Sequence, residues 1–370
     1  MTDPKPVLTP CTIGTHAFQN RLVLAPMSRA SALDDGTPTQ TMAEYYAEFA
    51  KGGYGLLITE GVFVDDLCSQ CYSNQPGLTT PLHEAGWKTV LDAVRREDGK
   101  IILQLIHAGA VSQHVPKAFA PSPVRPKGEM LQGYGYRQGA YEVPGELTLK
   151  DIEDIETAFV ETARAADRLG FDGVEIHCAN GYLLDQFLTP ETNLRADPYG
   201  GSLTNRLRIT TNIIERAQTA TSKPFLVGVR LSQAKATDQD YFWENGLDDA
   251  REIFTGVAKA GADYIHLASE KNGYAYHSST RDGDNLTAFA KTITGLPVIA
   301  NGGLQDMNLA NEIISNEQAD FISIGKAALL NPDLPKRLQA NLPIRDFTFE
   351  MFQYGVTIEA QQRWEMEKAA

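Results

Sequence analysis

The chain has 370 residues, 42% hydrophobic and 22% charged, with a formal net charge of −14. That supplies a full-sized core, and with no Lys/Arg-rich run it lacks the basic face a nucleic-acid binder turns toward phosphates. No stretch approaches the ~20 apolar residues of a membrane span, the N-terminus does not read as a signal peptide, and four sparse cysteines make no disulfide framework, so a cytoplasmic setting is expected.

In chain order, runs of β-branched and apolar residues alternate with amphipathic stretches. A strand is expected over 22–25 and a helix over 41–51; then strand 55–61, helix 82–96 and strand 101–106. After the long interval 107–147 come helix 149–169, with Thr148 as N-cap and Asp151 in its first turn, and strand 173–177. Helix 203–219, strand 225–231, helix 246–259, strand 263–267, helix 286–292, strand 297–301, helix 308–315, strand 321–325 and helix 332–340 complete the series. Most strands are apolar throughout, as in a parallel sheet covered on both faces. Eight such units close most simply as one α/β domain over 1–370, a (β/α)8 TIM barrel; an open doubly wound sheet is the alternative.

The interval 107–147, rich in Pro, Gly and Tyr, is too long for an ordinary βα loop and is expected to be a lid, a small hairpin or a surface insertion. The aromatic C-terminal extension 341–370 suits docking on the barrel or on a neighbour.

A barrel concentrates chemistry at the carboxyl ends of its strands. There the sequence places Ala25–Ser28, Gly61, Gln104 with His107, "EIHCANGY" (Glu175–Tyr182), Arg230, His266, Asn301–Gly303, and Gly325 with Lys326. Gly302, Gly303, Gly325 and Lys326, each pair leading into a helix, suit a phosphate, because backbone N–H groups approach closely and a helix start favours negative charge; simple turn geometry is the alternative. The Gln104 carboxamide can donate to and accept from the edge of a heterocycle, and the Arg230 guanidinium can balance charge on a reduced flavin. His177 and Asn180 can converge as neutral donors on a carbonyl or nitro oxygen, and Tyr182 can act as a general acid. Cys68 and Cys71 spell C-x-x-C without further ligands nearby; the pair reads as incidental, and no metal is expected. Cys178 reads as packing, His107 as support for the mouth, His266 as a wall residue, and Tyr199–Gly201 as shaping their loop.

The run from Gly170 to Arg208, "GFDGVEIHCANGYLLDQFLTPETNLRADPYGGSLTNRLR", resembles the central signature of the old yellow enzyme family, with "NRLVLAPMSR" (Asn20–Arg29) before it and "IGKAALLNPDLP" (Ile324–Pro335) after it. The resemblance implies an FMN-dependent ene-reductase on a single barrel, using NADH or NADPH to reduce activated C=C bonds of small enones or nitroalkenes; an NADH oxidase or dienoyl reductase of the same fold is the nearest alternative. It implies that Ala25, Pro26, Met27 and Ser28 line the flavin, that Gly61 and Gln104 contact its ring edge, and that Arg230 lies by N1. It further implies that Gly302, Gly303, Gly325 and Lys326 hold the phosphate, that His177 and Asn180 bind substrate oxygen, and that Tyr182 donates the proton; similar proteins often form dimers or tetramers, and the choice between a monomer and a homo-oligomer stays open. Lys326 stands where many relatives carry Arg, Ser28 where Thr or Cys is common, and Ala30 where some carry a substrate-stacking Tyr. No cysteine follows Cys178, so the iron–sulfur cluster of some members is not expected.

Overall fold

In the computed structural model, which describes residues 5–135, 137–269 and 272–369, eight parallel strands close into a barrel in sequential order. They are β1 (Leu22–Leu24), β2 (Leu56–Phe63), β3 (Ile101–Ile106), β4 (Gly173–Asn180), β5 (Leu226–Lys235), β6 (Ile265–Leu267), β7 (Val298–Asn301) and β8 (Phe321–Ile324). The ring shuts where Ser323 of β8 pairs with Val23 of β1. Every residue of β2, β3 and β5 is buried, which is why these strands are mostly apolar, and the polar residues they do carry need partners inside the protein.

Around the barrel lie α1 (Gln40–Gly52), α2 (Pro81–Arg95), α3 (Leu149–Leu169), α4 (Leu203–Ala220), α5 (Leu247–Lys259), α6 (Leu286–Thr294), α7 (Met307–Ser315) and α8 (Leu334–Gln339). Their starts follow local chemistry. Thr39, Thr80 and Ser202 accept backbone N–H groups as N-caps, and Thr148 with Asp151 completes a reciprocal capping box on α3.

One end of the barrel is plugged by a short hairpin, Cys11–Ile13 against His16–Phe18, which the sequence reading did not anticipate. Phe18 meets Phe321 edge to face at 5.4 Å, within an apolar cluster that includes Leu56, Ile102, Leu226 and Tyr264 from the strand starts. With that end sealed, the carboxyl ends form the mouth.

The interval 107–147 lies against this mouth. It is tied at its base by a two-residue parallel ladder, Phe119–Ala120 with Gly145–Glu146. The expected small hairpin reduces to one antiparallel bridge, Glu129 to Ala140. Its prolines lack the N–H a longer ladder needs, and its glycines bring no side chain to pack on a neighbouring strand.

Beyond α8, a 3-10 turn (Phe349–Phe352) and a final helix (Ile358–Ala369) return over the same barrel. Ile358 and Trp364 are buried in the main core, and Gln361 donates to the Leu329 carbonyl. The aromatic tail thus packs on the barrel of its own chain.

Candidate active site

The barrel interior carries a polar chain that begins at a carboxylate. Residues in register on parallel strands face the same side, and β4 pairs Glu175 with Gln104 of β3, while His177 pairs with Arg230 of β5, itself level with His266 of β6. Glu175 is fully buried and accepts from Gln104 Nε2 (2.8 Å), His266 Nδ1 (2.9 Å) and the Tyr264 hydroxyl (3.2 Å). His266 Nε2 lies 2.9 Å from Ser323 Oγ, which in turn accepts from Asn301 Nδ2 at 2.9 Å. Each link is satisfied when His266 is neutral, donating from Nδ1 and accepting at Nε2. Burial lowers the pKa of His266 in agreement with that tautomer. Burial also opposes ionisation of Glu175, but His266, the Arg230 charge and Gln104 outweigh it and hold the carboxyl down at about 2. Gly228 makes the arrangement possible: a Cβ there would stand 2.0 Å from Tyr264 Cζ.

Two residues beyond Glu175, His177 comes up on the same face. It is 4% exposed, and its buried Nδ1 has no hydrogen-bond partner among the described residues. Burial, then the Arg230 charge, press its pKa down to about 3, so the ring stays neutral and retains one N–H donor. The β4–β5 register slips between Cys178 and Asn180. Asn180 then turns into the left-handed region (φ 62°), followed by Gly181 (φ 84°). Polar groups fix this turn: Asn180 N–H donates to Ser232 Oγ (2.8 Å), and Gly181 N–H to Asp185 Oδ2 (2.7 Å). Asp185, wholly buried, is ion-paired with Lys235 of β5 at 2.5 Å. Tyr182 follows with its ring 5.1 Å from that of His177 and its hydroxyl 2.5 Å from the hydroxyl of Tyr72.

The other predicted residues surround the same mouth. Ala25 continues the β1–β8 pairing by donating to the Ile324 carbonyl, and Pro26, Met27 and Ser28 are half-buried beyond it. Gly325 lies beside Ala25 and Met27, since a Cβ on it would be 3.8 Å from Ala25 Cβ and 3.6 Å from Met27 Sδ. Gly61 is level with Gln104 in the β2–β3 ladder. Gly302 and Gly303 have φ of 113° and 70°, and the space a Cβ on Gly303 would enter is open to 4 Å. Lys326 is exposed, its ammonium 5.2 Å from the centre of the Phe349 ring.

The start of α7, after the β7 glycines, already holds an anion of its own, because the Asp306 carboxylate accepts from Asn308 N–H and Leu309 N–H. The Gly302 and Gly303 N–H groups lie before this cap and are not engaged by it. The short helix Lys326–Leu330 has no such side-chain cap.

Glu60, one residue before Gly61, points outward and clamps the segment after β1. It is 1% exposed and accepts the N–H of Arg29 (2.8 Å) and of Ala30 (3.3 Å), where the chain takes a positive φ of 45°. The Arg29 guanidinium, packed over the Tyr45 ring at 5.1 Å, donates to the Val356 and Thr357 carbonyls of the tail at 3.1 Å each. Burial pushes the Glu60 carboxyl up to about 7, against the pull of the Arg29 amide and charge. In the unfolded chain the same group releases its proton near 4.5. Between those values the folded state holds more protons, so stability falls as pH rises, by roughly 3 kcal/mol in all. Glu60→Gln removes the titration, and urea midpoints at pH 5 and pH 8 are expected to lie closer together than in the parent. An equal pH slope in both proteins would contradict this account.

The remaining candidates have structural roles. His107 Nδ1 accepts from Gly109 N–H (3.1 Å), which leaves the ring proton on Nε2, 3.4 Å from both Asp65 Oδ2 and Cys68 Sγ. The three ligand atoms are close enough for an ion, yet a metal would need the lone pair of that same Nε2. Burial, then Asp65, push the Cys68 thiol up to about 12, so the group reads as a hydrogen-bonded cluster. Cys178 is buried and accepts from Thr210 Oγ1. Tyr199 bonds Glu156, and Gly200 is required where a Cβ would meet the Arg195 carbonyl at 2.1 Å. Sequence reasoning missed Glu175, Asp185, Lys235 and Tyr72; Glu175, a carboxylate inside an apolar strand, was the one visible signal.

The geometry agrees with comparisons to known proteins. Residues 6–345 match the model of the NADH:flavin oxidoreductase / NADH oxidase family. The chain is 32% identical over 339 residues to an NADH oxidase of Thermoanaerobacter brockii, covering 88% of this chain but only 49%, about half, of that protein. It is 31% identical over 358 residues to 12-oxophytodienoate reductase 2 of Arabidopsis thaliana, covering 94% and 92% of the two chains. Among solved structures, the old yellow enzyme homologue from Zymomonas mobilis superposes with a TM-score of 0.83 at 28% identity, over 93% of this chain and 95% of that one. Morphinone reductase in complex with tetrahydroNAD gives 0.80 at 27%, over 92% of each. The closed barrel, the polar mouth and these matches together establish that the chain belongs to the NADH:flavin oxidoreductase / NADH oxidase family, the old yellow enzyme family.

Proposed function

We propose that the protein is an FMN-dependent NAD(P)H oxidoreductase that reduces the activated C=C bond of small α,β-unsaturated carbonyl or nitro compounds. FMN is the family's cofactor, and the residues present fit it. Open space beside Gly303, the uncapped turn at Gly325 and the exposed Lys326 cation suit its phosphate. Ala25, Pro26, Met27 and Ser28 would line the ring. Gly61 and Gln104 would meet its edge, Gln104 with the N–H that Glu175 does not engage. Arg230 would stand by the position that becomes negative on reduction, and Gly302 would complete the phosphate grip. When bound, FMN supplies the redox chemistry, accepting a hydride from NADH or NADPH and passing it to the substrate β-carbon.

The observation that carries this reading is the buried His177 ring beside Tyr182, kept neutral, with no hydrogen-bond partner for Nδ1 among the described residues. A buried polar atom of this kind calls for a ligand. His177 and Asn180 would donate to the substrate oxygen and favour the enolate more than the ketone. Tyr182 would hand its proton to the α-carbon. The 107–147 segment would act as a lid, since Tyr134 packs on Tyr72, while Val111, Met130 and Tyr141 pack against Tyr182. Relatives named for reducing 12-oxophytodienoate and morphinone support a carbonyl-bearing substrate.

Anaerobic titration tests it. The purified protein should be yellow, bleach with NADH or NADPH, and regain colour when cyclohexenone is added. A colourless protein that refuses FMN would end the reading, and recolouring by oxygen but by no enone would leave an oxidase.

A further inference from the structure

We infer that Tyr72 is a positioning residue for proton delivery: its hydroxyl holds the Tyr182 oxygen and stabilises the negative charge left there after the proton has gone to substrate carbon. The inference rests on the proton-donor role proposed above for Tyr182.

The two hydroxyls are 2.5 Å apart, so one donates to the other. Tyr72 is 5% exposed, and its ring packs against Tyr134 at 5.0 Å and within a cluster of Cys71, Ile106 and Ala108. Its backbone is tied on both sides. Gln70 Nε2 donates to the Tyr72 carbonyl, and the adjacent Cys71 N–H donates to Gln75, which itself reaches the Gly61 carbonyl. Tyr182 is held equally firmly, its N–H on the Ala179 carbonyl and its own carbonyl accepting from Gln186 N–H. The contact therefore joins two fixed groups.

A phenol is a weak acid, and a buried one is a weaker acid still unless a donor meets the phenolate it leaves behind. Tyr72 is that donor. Burial, reinforced by Tyr182 itself, raises its pKa well above the ordinary phenol value, so it keeps its proton while Tyr182 loses one. In the step, a C–H bond forms at the α-carbon as the Tyr182 O–H bond breaks, and the electron pair stays on the Tyr182 oxygen. Tyr72 donates its hydrogen bond to that oxygen throughout, and water later returns the proton.

The test compares two acceptors on flavin-loaded enzyme. Cyclohexenone needs a proton on carbon; a quinone such as menadione takes its protons on oxygen and does not need Tyr182. Tyr72→Phe should slow flavin reoxidation by cyclohexenone about 10- to 100-fold, the value of a hydrogen bond to a charged group. Flavin reduction by NADH and turnover of menadione should stay within about twofold of the parent. Tyr72→Leu is a second donor-free variant, to be read if phenylalanine costs the flavin. Equal slowing with both acceptors would mark Tyr72 as packing alone and overturn the inference. So would unchanged enone turnover in Tyr72→Phe while Tyr182→Phe is slow. Unchanged enone turnover in Tyr182→Phe would instead refute the proton-donor reading beneath it.

Discussion

Replacing His177 and Asn180 together by alanine is expected to lower enone turnover by about a thousandfold while the flavin stays bound. Both residues offer neutral donors, His177 because burial and Arg230 keep its ring unprotonated. Loss of one preorganised donor to a developing oxyanion typically costs about 100- to 1000-fold, and a pair aimed at one oxygen is less than additive. Neither side chain is part of the Glu175 chain that braces Gln104, so the cofactor side of the mouth should keep its shape. Asn180 has a left-handed backbone, where alanine is disfavoured by about 1 kcal/mol, so thermal melting is recorded beside the kinetics. Turnover within a few-fold of the parent, with the flavin retained, would remove these two residues from the mechanism.

The second large effect is on stability. Glu175→Ala leaves the donors of Gln104, Tyr264 and His266 without their acceptor and the Arg230 charge without its counter-ion, deep in the barrel. Breaking a buried charge network of this kind costs about 3–5 kcal/mol. The sign with pH follows from the carboxyl being held at about 2 in the fold against 4.5 unfolded. Its contribution is complete above 4.5 and disappears as pH falls through 2, so the variant should also show a shallower acid limb. Urea unfolding at pH 7, then from pH 5 down to pH 3, measures both. A parent-like midpoint would mean that the chain does not hold the barrel.

These two sites differ in how readily the sequence discloses them. The eight strands were legible because burial on both faces leaves them mostly apolar, and the strand-end polar groups because little but chemistry places His, Asn and Tyr together at the end of such a run. Helix ends were legible too, since Thr148 and Asp151 make their capping box within four residues. What stayed hidden depends on partners far away in the chain. Glu175 meets residues 71 and 91 positions off, Lys235 reaches back 50 to Asp185, and Tyr72 lies 110 from Tyr182. Three dimensions settle such pairs, and one sequence carries no record of them. The α7 start is a further case of local legibility, since Asp306 stands only two and three residues before the N–H groups it caps.

The grip of Arg29 on the Val356 and Thr357 carbonyls joins positions 327 and 328 apart in sequence. Because both acceptors are backbone carbonyls, side-chain changes at Val356 and Thr357 leave them in place, and only shortening the chain ahead of them would release the guanidinium.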